Sequence, residues 1–445
     1  MKMRRRHVSA PPTAANVPSV TSEVVRPAAV RPVLRPTVEE LRLTSFKSYR
    51  RTTLPLSPLT VLYGPSGVGK SNALDALATL SRLSLGEPIG LSLDGIGGSS
   101  GPLALPIRGG MLGCVPHGRN AIILGCTVRS AAGPIRLELV VRTDGPVRVA
   151  REWLTCAGQT LVETGEQDVA HGRVNVTWHN DSRQGDIRAP FPNDSLITAQ
   201  IPLRVAGSSN GERQVLAAAE QLLTALREVF PLHPVPALMR DWAEPEQEAR
   251  LLASAANISP VLARVKQQCT RRYGRLLKAV QQAAPHPLLG LDVARRGPEA
   301  REQLLAVFDE GVLGRTGADQ ASDGMLRLLA FATVLLTGAG VLDVDPAVEV
   351  PAAHRQLTVL AEDLAAGLGA EQVSALLRLA REVCEKEDIR LLGAVQDVAP
   401  AREPGLGVEL IECRRDPASG HSVLRPESAR VPLQGARGGV DGVDL

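Results

Sequence analysis

Hydrophobic and polar positions change period along the chain, and those changes divide it. Between residues 38 and 63 the apolar residues come in short runs and alternations: Val38-Glu39-Glu40-Leu41-Arg42-Leu43, Phe46-Lys47-Ser48-Tyr49, Thr53-Leu54-Pro55-Leu56, and Leu59-Thr60-Val61-Leu62-Tyr63. Runs of this kind predict strands. From about Lys70 to Leu83 the apolar residues recur at helical spacing. Residues 84 to about 118 are rich in Gly, Ser and Pro and read as loop. Strand patterns return over 121–128, 135–143, 147–154 and 159–163, with Asp144-Gly145 as a hairpin signal. An antiparallel β-lobe is therefore expected after the first helix. Residues 171–188 are polar and give no clear period.

From about Asn210 the spacing becomes 3.6 and predicts helices over 212–230, 245–256, 259–283 and 297–311, with Ser259 as a cap and Pro260 in the first turn. No sustained heptad run occurs, which excludes a long coiled coil. Toward the C-terminus the pattern alternates again: a helix over 323–337, a strand over 357–361, a helix over 370–386, a strand over 389–395, and a final strand pair over 408–414 and 422–425. The expected organisation is a disordered basic tail over 1–37, the N-terminal part of an α/β core over 38–83, an inserted loop and β-lobe over 84–200, a helical insertion over 201–315, the C-terminal part of that core over 316–425, and a loose tail over 426–445.

The stretch Gly64-Pro65-Ser66-Gly67-Val68-Gly69-Lys70-Ser71-Asn72 satisfies G-x-x-x-x-G-K-[ST] and stands between an expected strand and an expected helix. Glycines let successive backbone N–H groups turn inward on phosphates, and the helix N-terminus adds its positive dipole end. Lys70 is expected to meet the β- and γ-phosphates of ATP, and the Ser71 hydroxyl to ligate Mg²⁺.

Composition narrows the picture little. With 50 Lys and Arg against 47 Asp and Glu the net charge is +3, so the whole chain gives no global signal for nucleic acid. Aromatic residues are 2% of the chain, so the core must be mainly Leu, Val, Ala and Ile. The six cysteines, Cys114, Cys126, Cys156, Cys269, Cys384 and Cys413, form no C-x-x-C pair, which fits a reducing cytoplasm rather than a disulfide framework. Met1 to Arg6 is basic, but no apolar stretch of signal-peptide type follows it. The run from Leu328 to Leu342 is short of the ~20 residues a membrane span needs, so no membrane role is expected.

Hydrolysis needs a carboxylate for Mg²⁺ and a group that activates water. Leu357-Thr358-Val359-Leu360-Ala361-Glu362-Asp363 supplies both: Glu362 is expected to hold Mg²⁺, through water, and Asp363 to polarise the attacking water. Val341-Leu342-Asp343-Val344-Asp345-Pro346 is a rival site. Ser322-Asp323-Gly324 opens an apolar helix and offers an anion-binding N-terminus with close backbone access at Gly324.

These residues, in this order, resemble the ABC-type ATPase heads of the RecF, OLD and SMC group, and most closely the short AAA-family ATPases of RecF-like order. The resemblance covers roughly 38–400. It rests on Leu41 to Tyr49, the phosphate loop with Ser71-Asn72, Arg151-Glu152-Trp153-Leu154 in the β-lobe, Asn257-Ile258, Ser322 to Arg327 as the signature, and Glu362-Asp363 with Gly367-Leu368 as Walker B and D-loop. It implies an α/β P-loop NTPase fold of ABC/RecF-like type with an inserted antiparallel β-lobe and a helical subdomain. It also implies an ATP-dependent homodimer in which Ser322, Asp323 and Gly324 act in trans on the partner's ATP. Gln200, after the β-lobe, is the candidate for the Q-loop.

Some positions depart from the group's pattern. Ser66 stands where Asn is usual, Leu364-Ala365 where Pro-Glu is usual, and Asp363 where a longer Glu is usual. After the strand ending at Val395 come Gln396-Asp397, where a Thr-His-Ser switch is usual; one contact to the γ-phosphate is thereby altered, and Gln396, the candidate at that catalytic position, could at best hydrogen-bond in its place. The functions to weigh are an ATP-switched protein acting on DNA or a partner protein in DNA repair or phage defence, a slow-hydrolysing ATP sensor that regulates an effector, and a small-molecule kinase. A TOPRIM nuclease domain does not fit in the roughly 45 residues after Pro400.

Overall fold

The computed structural model describes residues 35–95, 107–182, 185–246, 249–298, 301–338, 342, 356–386 and 389–427. Of the expected tails, only residues 35–37 and 426–427 fall among these. The rival carboxylates Asp343 and Asp345 lie outside the described residues.

The strands are β1 (Thr37–Phe46), β2 (Tyr49–Pro55), β3 (Leu59–Tyr63), β4 (Ala121–Arg129), β5 (Ile135–Arg142), β6 (Arg148–Cys156), β7 (Gln159–Asp168), β8 (Arg173–Trp178), β9 (Ile187–Pro192), β10 (Val229–Leu232), β11 (Gly290–Arg296), β12 (Gln303–Asp309), β13 (Arg315–Gly317), β14 (Leu357–Ala361), β15 (Ile389–Val395), β16 (Glu409–Arg415) and β17 (Ser422–Pro426). The helices are α1 (Lys70–Leu83), α2 (Ile89–Asp94), α3 (Gly110–Cys114), α4 (Ile197–Arg204), α5 (Asn210–Arg227), α6 (Pro236–Met239), α7 (Ile258–Gln268), α8 (Thr270–Ala283), α9 (Asp323–Thr337) and α10 (Ala370–Cys384).

Fourteen strands form one sheet in the order β10-β14-β15-β3-β16-β17-β2-β1-β4-β5-β6-β7-β8-β9. From β10 to β16 neighbouring strands are parallel. From β2 through β1 and β4 to β9 they are antiparallel. The β-lobe is thus continuous with the core sheet through β1 and β2. A separate three-stranded antiparallel sheet, β11-β12-β13, lies within the region expected to be helical.

The central parallel strands β3, β14 and β15 are buried on both faces, which explains their near-continuous apolar sequences. Along β3, Leu59, Val61 and Tyr63 face one cluster while Leu62 faces the other. β14 and β15 divide in the same way: Val359 and Leu391 join the first set, Leu360 and Leu392 the second. One cluster is closed by α1 and α5, through Leu74, Leu77, Leu222 and Leu226; the other by α7 to α10, through Leu262, Leu276, Leu329 and Leu377. Two helical layers therefore cover the two faces of the core strands from which the phosphate loop leaves.

Several expectations need correction. Residues 303–309 are β12 rather than helix, because Leu304 to Phe308 are five consecutive buried residues paired with β11, a run that suits a strand buried on both faces. The described residues of 245–256 are not helical; the Asn257 side chain accepts from Leu252 N and donates to Arg250 O, holding a turn there. Asn257 is also the N-cap residue of α7, while Ser259 Oγ accepts from Ala306 N at 2.9 Å and ties the helix to β12. The helix expected over 212–230 stops at Arg227, and Val229–Leu232 becomes an edge strand, where Pro231 is tolerated. The polar stretch after His171 contains β8, whose buried Val174, Val176 and Trp178 alternate with polar residues.

Candidate nucleotide site

Four adjacent parallel strands end at the same side of the sheet. Leu232 is level with Ala361, Ala361 with Gly393, and Val395 with Tyr63. The next residues along the chain are His233, Glu362, Gln396 and Gly64, so the sheet itself gathers them in one crevice. The carboxyl ends of parallel strands are where open α/β sheets bind ligands.

The loop from Gly64 to Gly69 is held open by what its carbonyls do. Lys70 Nζ donates to Gly64 O at 2.7 Å and to Pro65 O at 2.8 Å. Arg415 donates to Gly67 O, Ser422 Oγ to Val68 O at 2.6 Å, and Tyr49 Oη to Gly69 O at 2.9 Å. Asn72 Nδ2 bonds Ser48 Oγ, which bonds Ser422 Oγ. The carbonyls of Gly64, Pro65, Gly67, Val68 and Gly69 are thus each engaged by a side-chain donor. α1 begins at Lys70 with no side-chain cap and no acidic residue in its first turn, so its leading N–H groups form an uncapped positive end. Gly64 and Gly69 are required: both have positive φ, and a Cβ on either would lie 2.2 Å from Cys413 O or Ser422 Oγ respectively.

The Lys70 ammonium is buried, 7% exposed. Burial lowers its pKa, and the neighbouring Cys413 thiol and Asp363 carboxylate pull the other way. A buried cation beside uncapped amides suits a polyphosphate. Ser71, one residue on, makes no side-chain hydrogen bond among the described residues, which leaves its hydroxyl available to a cation. When bound, Mg²⁺ would neutralise phosphate charge beside Ser71 and Glu362.

Asp363 lies close enough for its charge to act on Lys70, and its φ of 50° is uncommon for a residue with a Cβ. Glu362 is engaged already. Its Oε1 accepts from Arg108 Nη1 at 2.6 Å, and its Oε2 lies 4.0 Å from His233 Nδ1. Arg108 Nη2 also meets Asp75 of α1 at 2.8 Å, and Lys47 Nζ meets the same Asp75 oxygen at 2.8 Å. Burial disfavours the Arg108 charge, but Asp75 and Glu362 outweigh it and raise the pKa. Arg108 takes one oxygen of Glu362 and leaves Oε2 without a hydrogen bond among the described residues. Arg108 and His233 approach Glu362 directly, and Asp75 and Lys47 reach it only through Arg108; none was legible as a site residue, because all four lie far in sequence from Glu362.

Ser322 is the N-cap of α9, its Oγ accepting from Met325 N at 3.3 Å. Asp323 is paired with Arg240 at 2.6 Å. Gly324 packs on Gly367, where a Cβ would lie 2.3 Å from the Gly367 carbonyl oxygen, so the structure joins the start of α9 to the turn after Glu362 and Asp363. Gln396 is exposed at the end of β15. The Gln200 amide donates to Pro192 O at 3.0 Å and Ser195 Oγ at 3.2 Å within the lobe, and no contact among the described residues joins it to the phosphate loop.

Strand, glycine-rich loop and helix, set in a parallel sheet between two helical layers, define an α/β fold of the P-loop NTPase type. No protein-family profile and no curated protein sequence matches the chain. Among solved structures it is similar to an SMC head bound to the C-winged helix domain of ScpA, at 14% identity and a TM-score of 0.49 over 88% of this chain and 99% of that one. It is also similar to the SMC head of Pyrococcus furiosus with an extended coiled coil bound to the C-terminal domain of ScpA, at 13% identity and a TM-score of 0.46 over 89% and 98%. The SMC head of Thermotoga maritima follows at 12% identity and a TM-score of 0.38 over 88% and 98%.

Proposed function

We propose that this protein is a Mg²⁺-dependent ATPase of RecF-like type, in which ATP binding drives two copies together. The observation that carries the reading is the convergence of the phosphate loop, Glu362-Asp363 and Gln396 at the ends of adjacent parallel strands. Lys70 and the first turn of α1 hold the phosphates. Ser71 and Glu362 hold Mg²⁺, Asp363 polarises water, and Gln396 hydrogen-bonds the γ-phosphate end. Ser322, Asp323 and Gly324 serve the partner's site. Segments 38–83 and 316–425 make the core, interrupted by 84–200 and 201–315. The switch acts on DNA or on a partner protein, in DNA repair or phage defence, and works in the cytoplasm. Among the described residues no helix is long and apolar enough to cross a membrane.

A second reading is a slow ATP sensor that regulates an effector. Two features favour it: Gln396 where a histidine switch would stand, and the prior engagement of Glu362 by Arg108. ATP turnover measured with and without DNA separates the two. Turnover that rises with DNA supports the first; tight ATP binding with negligible turnover under both conditions supports the second. Neither binding nor turnover would overturn both.

A further inference from the structure

We infer that the exposed face of α8 is a docking surface for the phosphodiester backbone of a nucleic-acid duplex. The inference names the macromolecule on which the proposed switch acts, and it rests on none of the nucleotide-site assignments. It begins with a local charge imbalance that the balanced total conceals. From Ala249 to Leu291 the sequence holds no Asp or Glu but seven Lys or Arg. Four of these, Arg271, Arg272, Arg275 and Lys278, lie on α8 and are exposed.

Helical geometry gathers them. Positions 271, 275 and 278 follow the i, i+4, i+7 spacing of one face, with 272 at its flank, and Gln282 continues the stripe. At 1.5 Å per residue the charges from Arg271 to Lys278 span about 10 Å. The opposite face is spent on the core: Leu276, Val280 and Ala283 are buried.

The four cations are left without a direct partner among the described residues. None makes an ion pair or side-chain hydrogen bond among the described residues. Neighbouring basic residues differ: Lys266 and Arg315 both pair with Asp292, and Arg295 pairs with Glu302. From α10, Glu382 feels the charges of Arg275 and Lys278, yet its own ion pair is with Lys386. Arg271 and Arg272 also stand in the first turn of α8, where no acidic residue accompanies them. Cations there oppose the helix dipole, so folding alone gives no reason for them.

The chemistry of the face selects the occupant. Three of its four cations are guanidinium groups, whose fork matches phosphate oxygens. No exposed apolar side chain lies among them to enter a lipid layer or anchor a peptide. Tyr273, the aromatic residue of α8, is half-buried, donates its hydroxyl to Leu291 O, and lies under Lys266. The face therefore offers no stacking ring of the kind that single-strand binding uses. What remains is a row of charge suited to a duplex backbone, read without sequence preference.

The test uses the full chain without nucleotide and a fluorescent random-sequence DNA duplex of about three helical turns, followed by anisotropy across a salt series. Wild-type protein should bind, with log K falling linearly in log salt. The triple variant Arg271→Gln, Arg275→Gln, Lys278→Gln should bind roughly tenfold or more weakly, with a salt slope shallower by about 2.7, the value for three lost phosphate contacts. Arg271→Lys with Arg275→Lys should keep the slope, and all variants should keep wild-type ATP binding. The inference is overturned if wild type does not bind the duplex or if the triple variant binds with an unchanged slope. It is also overturned if wild type prefers polyglutamate or phosphatidylserine vesicles to the duplex. Loss of ATP binding in Lys70→Ala with duplex binding intact would show that the two readings stand or fall separately.

Discussion

Lys70 sits where a buried ammonium meets uncapped backbone amides and the carbonyls of Gly64 and Pro65. Lys70→Ala should weaken ATP binding by ~2–4 kcal/mol, as removal of one partner of a largely desolvated charge pair does. Calorimetry with Mg²⁺ reads this directly, and unchanged affinity would remove the loop from the account. The two carboxylates are expected to separate by role. Asp363→Asn should keep ATP binding and lose most turnover, whereas Glu362→Gln should also lower Mg²⁺-dependent binding. If Asp343→Asn stops turnover and Asp363→Asn does not, the assignment is wrong. At this scale the sequence was most readable for the phosphate loop, since its residues are contiguous and each has its own steric or electrostatic reason. The Arg108 bridge between Asp75 and Glu362 was not readable, because it joins residues 33 and 254 positions apart.

Among the elements, the N-terminus of α4 depends on one buried acid from β6. Glu152 accepts from Ile197 N at 2.8 Å, and from Thr198 N and Thr198 Oγ1 at 2.6 and 2.5 Å. Burial raises its pKa from 4.5 to about 7, although the bonds from Thr198 and Ile197 act in the opposite sense. The folded state thus binds more protons than the unfolded chain between those values. Stability should fall as pH rises from about 4.5 to about 7 and then level off, a change on the order of 3 kcal/mol. Urea midpoints near pH 5 and near pH 8 should differ less in Glu152→Gln than in wild type. An equal difference in both would assign the pH dependence to other groups. Elements also show where reading by period succeeds. The helix at Asp323–Thr337 and the strand at Ile389–Val395 match their apolar patterns residue for residue. β12 does not, because a short apolar run fits helix and strand alike until β11 and the Ser259 hydroxyl claim its backbone.

At the scale of the whole molecule, the core is assembled from distant parts of the chain: β3 pairs with β15 and β16, and Gly324 rests on Gly367. A triphosphate held by one phosphate loop alone would leave its outer side facing water, and a second helix N-terminus could desolvate and neutralise it. Assigning that role to Ser322 of another copy predicts specific activity that rises with protein concentration before saturating. Ser322→Arg should bind ATP nearly normally, lose about 1 kcal/mol of helix capping, and fail to dimerise on Mg²⁺ and ATP in light scattering. A monomer with concentration-independent turnover would favour the sensor or kinase readings.

The most direct measurement mixes two inactive proteins. Lys70→Ala retains Ser322 and Gly324, and Ser322→Arg retains an intact phosphate loop, so a mixed dimer holds one complete composite site. Turnover should reappear on mixing and scale with the fraction of mixed dimers, provided one site fires without the other. If mixtures across the full range of ratios stay as inactive as the separate variants, while each variant remains folded, the composite ATP site is contradicted.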